Sequence, residues 1–368
     1  MNEVQFVEID ASSIENKMIN DFENGIGETL YPGDERRIFL LQEAPIIVGL
    51  KNDINYTGNQ NLLPFAVDKA LDGLGSLVGV TRLAAEKSLV TIKFTLSEAQ
   101  VNNVIVPAGT RVTPDGVLYF ETTSSLIIPS GNLSGIILAK AMEGGSRYNG
   151  FIPGQIKTIV DQVPYVSSAG NIDTSYNGSD VEDDNSLRSR IQLAPESFST
   201  AGPEGAYIYW AKTADVNIAD VSITSPSPGT VNIYVLMKNG GIPTQEILNK
   251  AYAEVSPKSR RPLTDYVQVL APNIETYDIN LTYYIDAARK TEEASIRSKI
   301  ENEGGAVDQY ISWQSGSLGR DINLDYLKSL MFSKGAFRIV STSPNFVELT
   351  ADKVAILGTK TITYGGLI

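Results

Sequence analysis

The sequence predicts a multidomain α+β chain: N-terminal helices, a β-rich, sandwich-like middle, and C-terminal α+β domains with antiparallel sheets. Three observations carry this. Helical apolar spacing dominates the first 80 residues, two-residue alternation between Pro-x-Gly stops dominates 81–154, and strand, helix and strand patterns succeed one another after residue 200. A length of 368 residues also exceeds the size at which a single core keeps growing, roughly 250–300 residues.

Taken in order, 1–80 reads as an arm followed by helices. The first 33 residues are polar, with breakers at Asn24-Gly25 and Pro32-Gly33, and hold an extended arm with a short helix. From Asp34, a residue suited to an N-cap, DERRIFLLQEA is helical until Pro45 interrupts it, and PIIVGLKNDI starts again beyond the break. A further helix passes through Val67, Ala70 and Leu71 and is stopped by Gly73 and Gly75.

The β-rich domain covers 81–165. Val90, Ile92, Phe94 and Leu96 alternate with Thr91, Lys93 and Thr95, which puts one face of a strand on a core and the other in water. Val106-Pro107-Ala108-Gly109 and Ile128-Pro129-Ser130-Gly131 read as turns with Pro at the second position and a Gly that takes positive φ or a bulge; Asp115-Gly116 is a hairpin signal between them. Pro107, Gly109, Pro129 and Gly131 are therefore structural turn residues.

The stretch 166–200, rich in Gly, Ser, Asn and Asp, reads as a linker with a short helix starting near Asp184 or Asn185. An α+β domain follows over 201–275, where Tyr207, Trp210, Ala211 and Ala214 share a helical face and Ile247, Leu248, Ala251 and Val255 share another. The last domain, 276–368, opens on the cleanest alternation in the chain, Tyr277, Ile279, Leu281, Tyr283 and Ile285.

Composition closes most catalytic routes. There is neither histidine nor cysteine, which removes Ser-His-Asp and Cys-His catalysis, histidine acid–base chemistry, disulfides and thiolate metal sites. A net charge of −13, from 43 acidic and 30 basic residues, repels phosphate backbones, so no nucleic-acid partner is expected. No apolar run approaches the ~20 residues a bilayer span requires, so no membrane partner is expected either.

The remaining clusters favour structural roles. Asp180, Glu182, Asp183 and Asp184 crowd oxygen ligands together but lack the alternating ligands and mid-loop Gly of a calcium loop, and helix capping explains them better. Lys258, Arg260 and Arg261 sit between Pro257 and Pro262 and read as a surface loop, with an acidic partner surface as the alternative. MEGGSRYNG and KNGGIP lack phosphate-loop endings and are turns. No catalytic residue, metal or cofactor is expected. The 17 tyrosines suit subunit interfaces and half-buried strands equally.

The order of motifs resembles the baseplate J-like family of contractile phage tails and phage-tail-like particles. The residues that carry it are NLLPFAVDKALDGLGSLVGVTRLAAEKS, VNNVIVPAGTRV, GVLYFETT, IIPSG, ILAKAMEGGSRYNGFIPGQI, GSDVEDDNSLRSRI, FSTAGPEGAYIYWA, PGTVNIYVL and SGSLGRDINLDYLKSLMF with RIVSTSP, over about 30–345. The resemblance implies a non-enzymatic component of the baseplate wedge in a virion or tail-like particle, assembled in the bacterial host cytoplasm. Its implied partners are a second copy of itself, a smaller wedge protein, the sheath initiator, the central hub and spike, and neighbouring wedges in a six-fold ring. The N-terminal helices would join a bundle with wedge partners, for which Ile38, Phe39 and Leu41 are the candidate contact residues, and the C-terminal domain would meet neighbouring wedges. A receptor-binding tail fibre is the alternative, though no heptad or short repeat supports it. A two-carboxylate cell-wall glycosidase is a more distant one.

Overall fold

The computed structural model describes residues 2–199 and 201–368; Met1 and Thr200, which fall in the arm and the linker read from the sequence, lie outside the described residues. The chain divides into two compact units, one formed by 1–82 with 183–192 and the other by 83–182 with 193–368. Its class is α+β, with helices first, a β-rich middle and α+β layers towards the C-terminus.

The first unit is helical. Where the sequence suggests an arm, helix α1 (Ala11–Ile26) runs for 16 residues, capped by Asp10, whose carboxylate accepts from Ser12 N–H at 3.0 Å. It passes through Gly25 and ends at Gly27, whose φ of +71° lets its N–H return to the Glu23 carbonyl at 2.8 Å. Asp34 caps α2 (Glu35–Asn59) by accepting from Arg36 N–H at 2.9 Å, and hydrogen bonds from the Arg36 guanidinium hold the Asp34 carboxyl down at about 2.

Contrary to the expected interruption, α2 continues through Pro45. Proline removes one helical hydrogen bond, but position 45 is exposed, and the residues on either side, with Ala44 and Asn59 buried, stay helical. Helix α3 (Asp68–Leu77) likewise runs past both glycines read as stops. At Gly75 a Cβ would lie 2.9 Å from the Val80 carbonyl oxygen and 3.2 Å from Ile191 Cδ1, so this glycine serves close packing rather than termination. Helix α4 (Asp184–Leu193) returns to this unit: Arg188 donates to the Leu63 and Ala66 carbonyls, both at 2.8 Å, and Arg82 bridges Asp72 at 2.8 Å and Asp184 at 2.7 Å.

The second unit opens with the β block: β1 (Lys87–Leu96), β2 (Val104–Val106), β3 (Arg111–Thr113), β4 (Phe120–Thr122), β5 (Leu126–Ile128), β6 (Ser134–Gly144), β7 (Thr158–Ile159) and β8 (Val166–Asn171). Six of these form one sheet in the order β7-β3-β4-β6-β1-β8, with β2 and β5 paired separately. The sheet curls towards closure: Ile156, just before β7, donates its N–H to Asn171 Oδ1 at 2.9 Å, and Asn171 N–H returns to the Ile156 carbonyl at 3.3 Å. Val90, Ile92, Phe94 and Leu96 fill the interior, where Phe120 meets Tyr148 and Phe151 edge-on at 5.7 and 6.1 Å.

Two sequence expectations change here. The polar stretch after residue 165 is no free linker: 166–171 is a strand of the barrel, and 173–182 is tied to it by main-chain and carboxylate hydrogen bonds, including Asp173 to Thr91 N–H at 2.7 Å and Glu182 to Leu83 N–H at 3.0 Å. Polar groups do the anchoring that apolar periodicity usually signals. The turns are also shifted by one residue. Thr110 N–H bonds the Pro107 carbonyl at 3.4 Å and Asn132 N–H bonds the Pro129 carbonyl at 3.0 Å, so each proline holds the first position and each glycine the third, at φ +79° and +82°. That is the type II geometry, in which the third residue needs positive φ and proline ends the strand by lacking a donor. Since a Cβ at Gly109 would meet nothing within 4 Å, Gly109→Val should cost only backbone strain, about 2 kcal/mol, seen as a lowered melting temperature with a native circular dichroism spectrum.

The central layer contains α5 (Glu204–Thr213), β9 (Ile218–Thr224), β10 (Thr230–Met237), α6 (Gln245–Val255) and β11 (Tyr266–Leu270). The sheet order is β11-β10-β9, with β9 antiparallel to β10 and β11 parallel to it through the α6 crossover. Tyr207, Ala211, Ile233, Val235, Ile247, Ala251 and Val255 form its core. The C-terminal layer contains β12 (Asn273–Ile285), α7 (Glu293–Glu301), α8 (Ala306–Ser315), α9 (Leu324–Ser333), β13 (Arg338–Ser343) and β14 (Lys353–Leu367). Its order is β13-β12-β14, again one antiparallel and one parallel pairing, and every second residue of β12 from Tyr277 to Ile285 is buried under α7, α8 and α9 side chains such as Ile296, Tyr310 and Leu327. Leu236, Leu318 and Val354 pack between the two layers, where Asp220 also accepts from Ser317 Oγ and Leu318 N–H at 2.8 and 2.9 Å.

Candidate assembly surfaces

Among the described residues no group of His, Cys, Asp and Glu is arranged to hold a metal ion, and no helix is long and apolar enough to cross a membrane. The acidic run is consumed by structure. Asp180 accepts from Ser146 N–H and Oγ at 3.0 and 2.6 Å, Glu182 accepts from Leu83 N–H, Asp183 caps α4 through Asn185 and Ser186 N–H groups at 3.0 Å, and Asp184 pairs with Arg82. These bonds hold the Asp180 and Asp184 carboxyls below the usual carboxylate range, for Asp180 mainly through the Ser146 hydroxyl and for Asp184 mainly through Asp68 N–H.

The basic run is structural too. Arg260 stacks on Trp210, its guanidinium carbon 3.7 Å from the ring centroid, and donates to the Glu254 carbonyl at 2.7 Å. Arg261 donates to the Ser256 carbonyl at 2.8 Å. Tyr207 donates to Asp265 at 2.6 Å, and burial, followed by that carboxylate, pushes its phenol well above the usual range.

Apolar side chains exposed to a partner occur in several parts of the chain, α2 among them. Ile38 and Phe39 are exposed, at 47% and 60%, whereas Leu41 is half-buried. At roughly 100° per residue Leu41 lies about 200° from Phe39, on the side of buried Ala44, so the three residues chosen from the sequence do not share a face. The face that does exist is Phe39, Ile46 and Leu50, within roughly 40° of one another, with Ile54 beside them. All are at least half exposed, at 60%, 56%, 57% and 50%. Sequence reading missed it by stopping the helix at Pro45; carried through the proline, the i, i+7, i+11, i+15 spacing is visible in the sequence.

The motifs after β6 meet in a knot of main-chain contacts. Asn149 donates to the Gly178 carbonyl at 2.7 Å and accepts from Gly178 N–H at 2.8 Å. A Cβ at Gly178 would lie 2.6 Å from the Gly145 carbonyl oxygen. MEGGSRYNG and GSD are therefore two halves of one clasp, not independent turns. Beside it an ionic joint ties the barrel to the central layer: Lys250 on α6 reaches Glu86 at 3.3 Å, Asp215 at 3.8 Å and Glu246 at 4.0 Å. Asn177 donates to Glu246 at 3.0 Å, and Lys87 and Lys140 line the same cleft. Asp215 is 2% exposed, and burial pushes its carboxyl above the usual range against the opposing pull of Asn217 N–H and Lys250.

The barrel and the layer that follows it correspond to two known domains. Residues 91–178 match the Baseplate J-like protein barrel domain and residues 199–271 match the Baseplate J-like central domain. Both are domains of the baseplate J-like family. Over 165 residues the chain is 35% identical to Baseplate protein J of Escherichia phage P2, covering 45% of this chain and 53% of that protein. The chain thus spans about half the length of the curated relative it matches. A chain of the anti-feeding prophage baseplate, solved by cryo-electron microscopy, aligns with 94% of this chain and 89% of its own length, at 13% identity and a TM-score of 0.48.

Proposed function

We propose that this protein is a structural component of the wedge of a contractile-tail baseplate, in a phage tail or tail-like particle assembled in the bacterial cytoplasm. The observation that carries the reading is the barrel domain followed in the chain, after α4, by the central domain, two modules of the baseplate J-like family. In this role paired copies join a smaller wedge protein, and the wedges close as a six-fold ring around the hub and support the sheath initiator. Function then resides in complementary surfaces rather than in chemistry, and a ring of heterologous contacts needs large, well-matched ones. Abundant hydrogen-bonded carboxylates and the absence of histidine and cysteine suit that role.

The outer stripe of α2, Phe39, Ile46, Leu50 and Ile54, is the surface on which partner helices would pack, replacing the Ile38, Phe39 and Leu41 set. Phe39→Asp combined with Leu50→Asp is expected to leave the melting temperature of the isolated chain within about 2 °C, since both side chains are already in water. The same variant should lose co-purification with wedge partners and yield particles without assembled baseplates by electron microscopy. Normal baseplates from this variant would remove α2 from the interface. Density for this chain at fibre tips rather than around the hub would overturn the wedge reading itself.

A further inference from the structure

In the first unit, residues 4–8 run along α2, bending at Phe6 and Val7, and are gripped by three of its side chains, Lys51, Asn55 and Asn59, spaced one turn apart on one face. Asn59 accepts from Val4 N–H at 2.9 Å and donates to the Val4 carbonyl at 2.8 Å. Asn55 accepts from Phe6 and Val7 N–H at 2.8 and 2.9 Å and donates to the Val7 carbonyl at 2.9 Å. Lys51 donates to the Glu8 carbonyl at 2.9 Å. Each of these bonds goes to main chain. The two asparagine amides satisfy main-chain donors and acceptors that would otherwise need water, and the bend at Phe6 and Val7 turns two consecutive N–H groups onto the one Asn55 oxygen.

The grip is built rather than incidental. Asn59 is 3% exposed with the segment in place, and its amide is oriented by a second bond, within the helix, to the Asn55 carbonyl at 2.9 Å. Gly58 sits between the asparagines, and a Cβ there would run into the Phe6 ring, so the missing side chain makes a seat for one aromatic. Val4 and Phe6 nonetheless stay 43% and 50% exposed, so the site reads backbone in detail and side chains hardly at all.

We propose that Lys51, Asn55, Gly58 and Asn59 form a binding site for a polypeptide main chain that bends at its seated aromatic, filled in cis by residues 4–8 and open to the same segment supplied in trans. A segment held by its backbone and one seated ring is an intramolecular ligand, and a second copy of it makes the same contacts but competes against the effective concentration of the tethered one. The site stands on the first unit alone and does not depend on the baseplate reading.

The test uses the full chain. Hydrogen exchange of the unaltered protein should show the Val4, Phe6 and Val7 amides protected, with protection lost in Asn55→Leu. A fluorescein-labelled peptide of residues 2–10, followed by anisotropy, should bind a Phe6→Ala, Val7→Pro chain at least about tenfold more tightly than the unaltered chain, whose own segment competes. Adding Asn55→Leu to that variant should abolish binding, while peptides with Glu3→Lys or Val4→Ser should keep their affinity within about threefold, as backbone recognition requires. Exchange at unstructured rates in the unaltered chain overturns the proposal, and this readout needs no variant to fold. So does the absence of saturable binding up to about 1 mM peptide, or binding that survives Asn55→Leu.

Discussion

Replacing Lys250 by methionine is expected to destabilise the second unit by about 3 kcal/mol at neutral pH, a fall on the order of 6–10 °C in melting temperature. The lysine is the cation shared by Glu86, Asp215 and Glu246, and its removal leaves three carboxylates facing one another with Asp215 out of reach of water. Methionine keeps the apolar stem, so the loss reports charge rather than packing. Lys250 and Glu86 are partly exposed, at 34% and 43%, which holds the effect at the lower end for a broken buried pair.

The pH dependence gives the sign. Asp215 has a folded-state pKa raised by burial, so its contribution favours folding below the ordinary carboxylate value and is lost as pH rises through the raised one. The damage from Lys250→Met should therefore shrink as pH falls, because a protonated Asp215 needs no cation. Asp215→Asn keeps an acceptor for Asn217 N–H, now at 2.8 Å, and should stabilise the protein increasingly as pH rises from about 4. In the double variant most of the Lys250→Met loss should return; a fully additive cycle would show that the two side chains do not interact. Thermal melts of the four proteins between acid and neutral pH measure all of this.

Gly178→Val is expected to be worse, costing roughly 3 kcal/mol or more and leaving little folded barrel at 37 °C. Its Cβ would fall 2.6 Å from the Gly145 carbonyl oxygen, 2.8 Å from Asn149 Oδ1 and 3.0 Å from Ser88 Cβ. Asn149 cannot yield, because its amide is pinned by both its bonds to Gly178 itself. The contrast with Gly109→Val is diagnostic: open space around one glycine, a closed clasp around the other. Equal melting temperatures for the two variants would mean that the clasp opens at no cost.

Legibility followed the kind of interaction. The strand 87–96 and the strand 273–285 were readable because their alternating apolar residues are the core itself. The stretch 166–182 was not, since Asn171, Asp173, Ser175 and Glu182 anchor it through hydrogen bonds that leave no apolar period. Pro45 signals a break by its local chemistry alone, whereas the helical apolar spacing on either side of it runs on through α2. Leu41 was grouped with Phe39 by proximity in sequence, which on a helix means opposite faces. The Asn55 and Asn59 grip gave no sequence signal, since two asparagines four residues apart in a helix look like ordinary solvated positions.

One last consequence concerns the order in which the chain folds. The barrel begins at Leu83 and ends at Glu182, and these two residues are hydrogen-bonded to each other, Glu182 N–H to the Leu83 carbonyl at 3.1 Å and Leu83 N–H to the Glu182 carboxylate at 3.0 Å. Helices α3 and α4, which pack together in the first unit, are separated by this whole excursion. Bringing them together across an unstructured loop of about 100 residues carries a closure entropy whose length-dependent part is on the order of 4 kcal/mol. Once the barrel has formed, the same two helices are delivered to each other as if joined by a short turn. The helical unit should therefore form after the barrel, with its contacts made local by the prior closure of the chain between them.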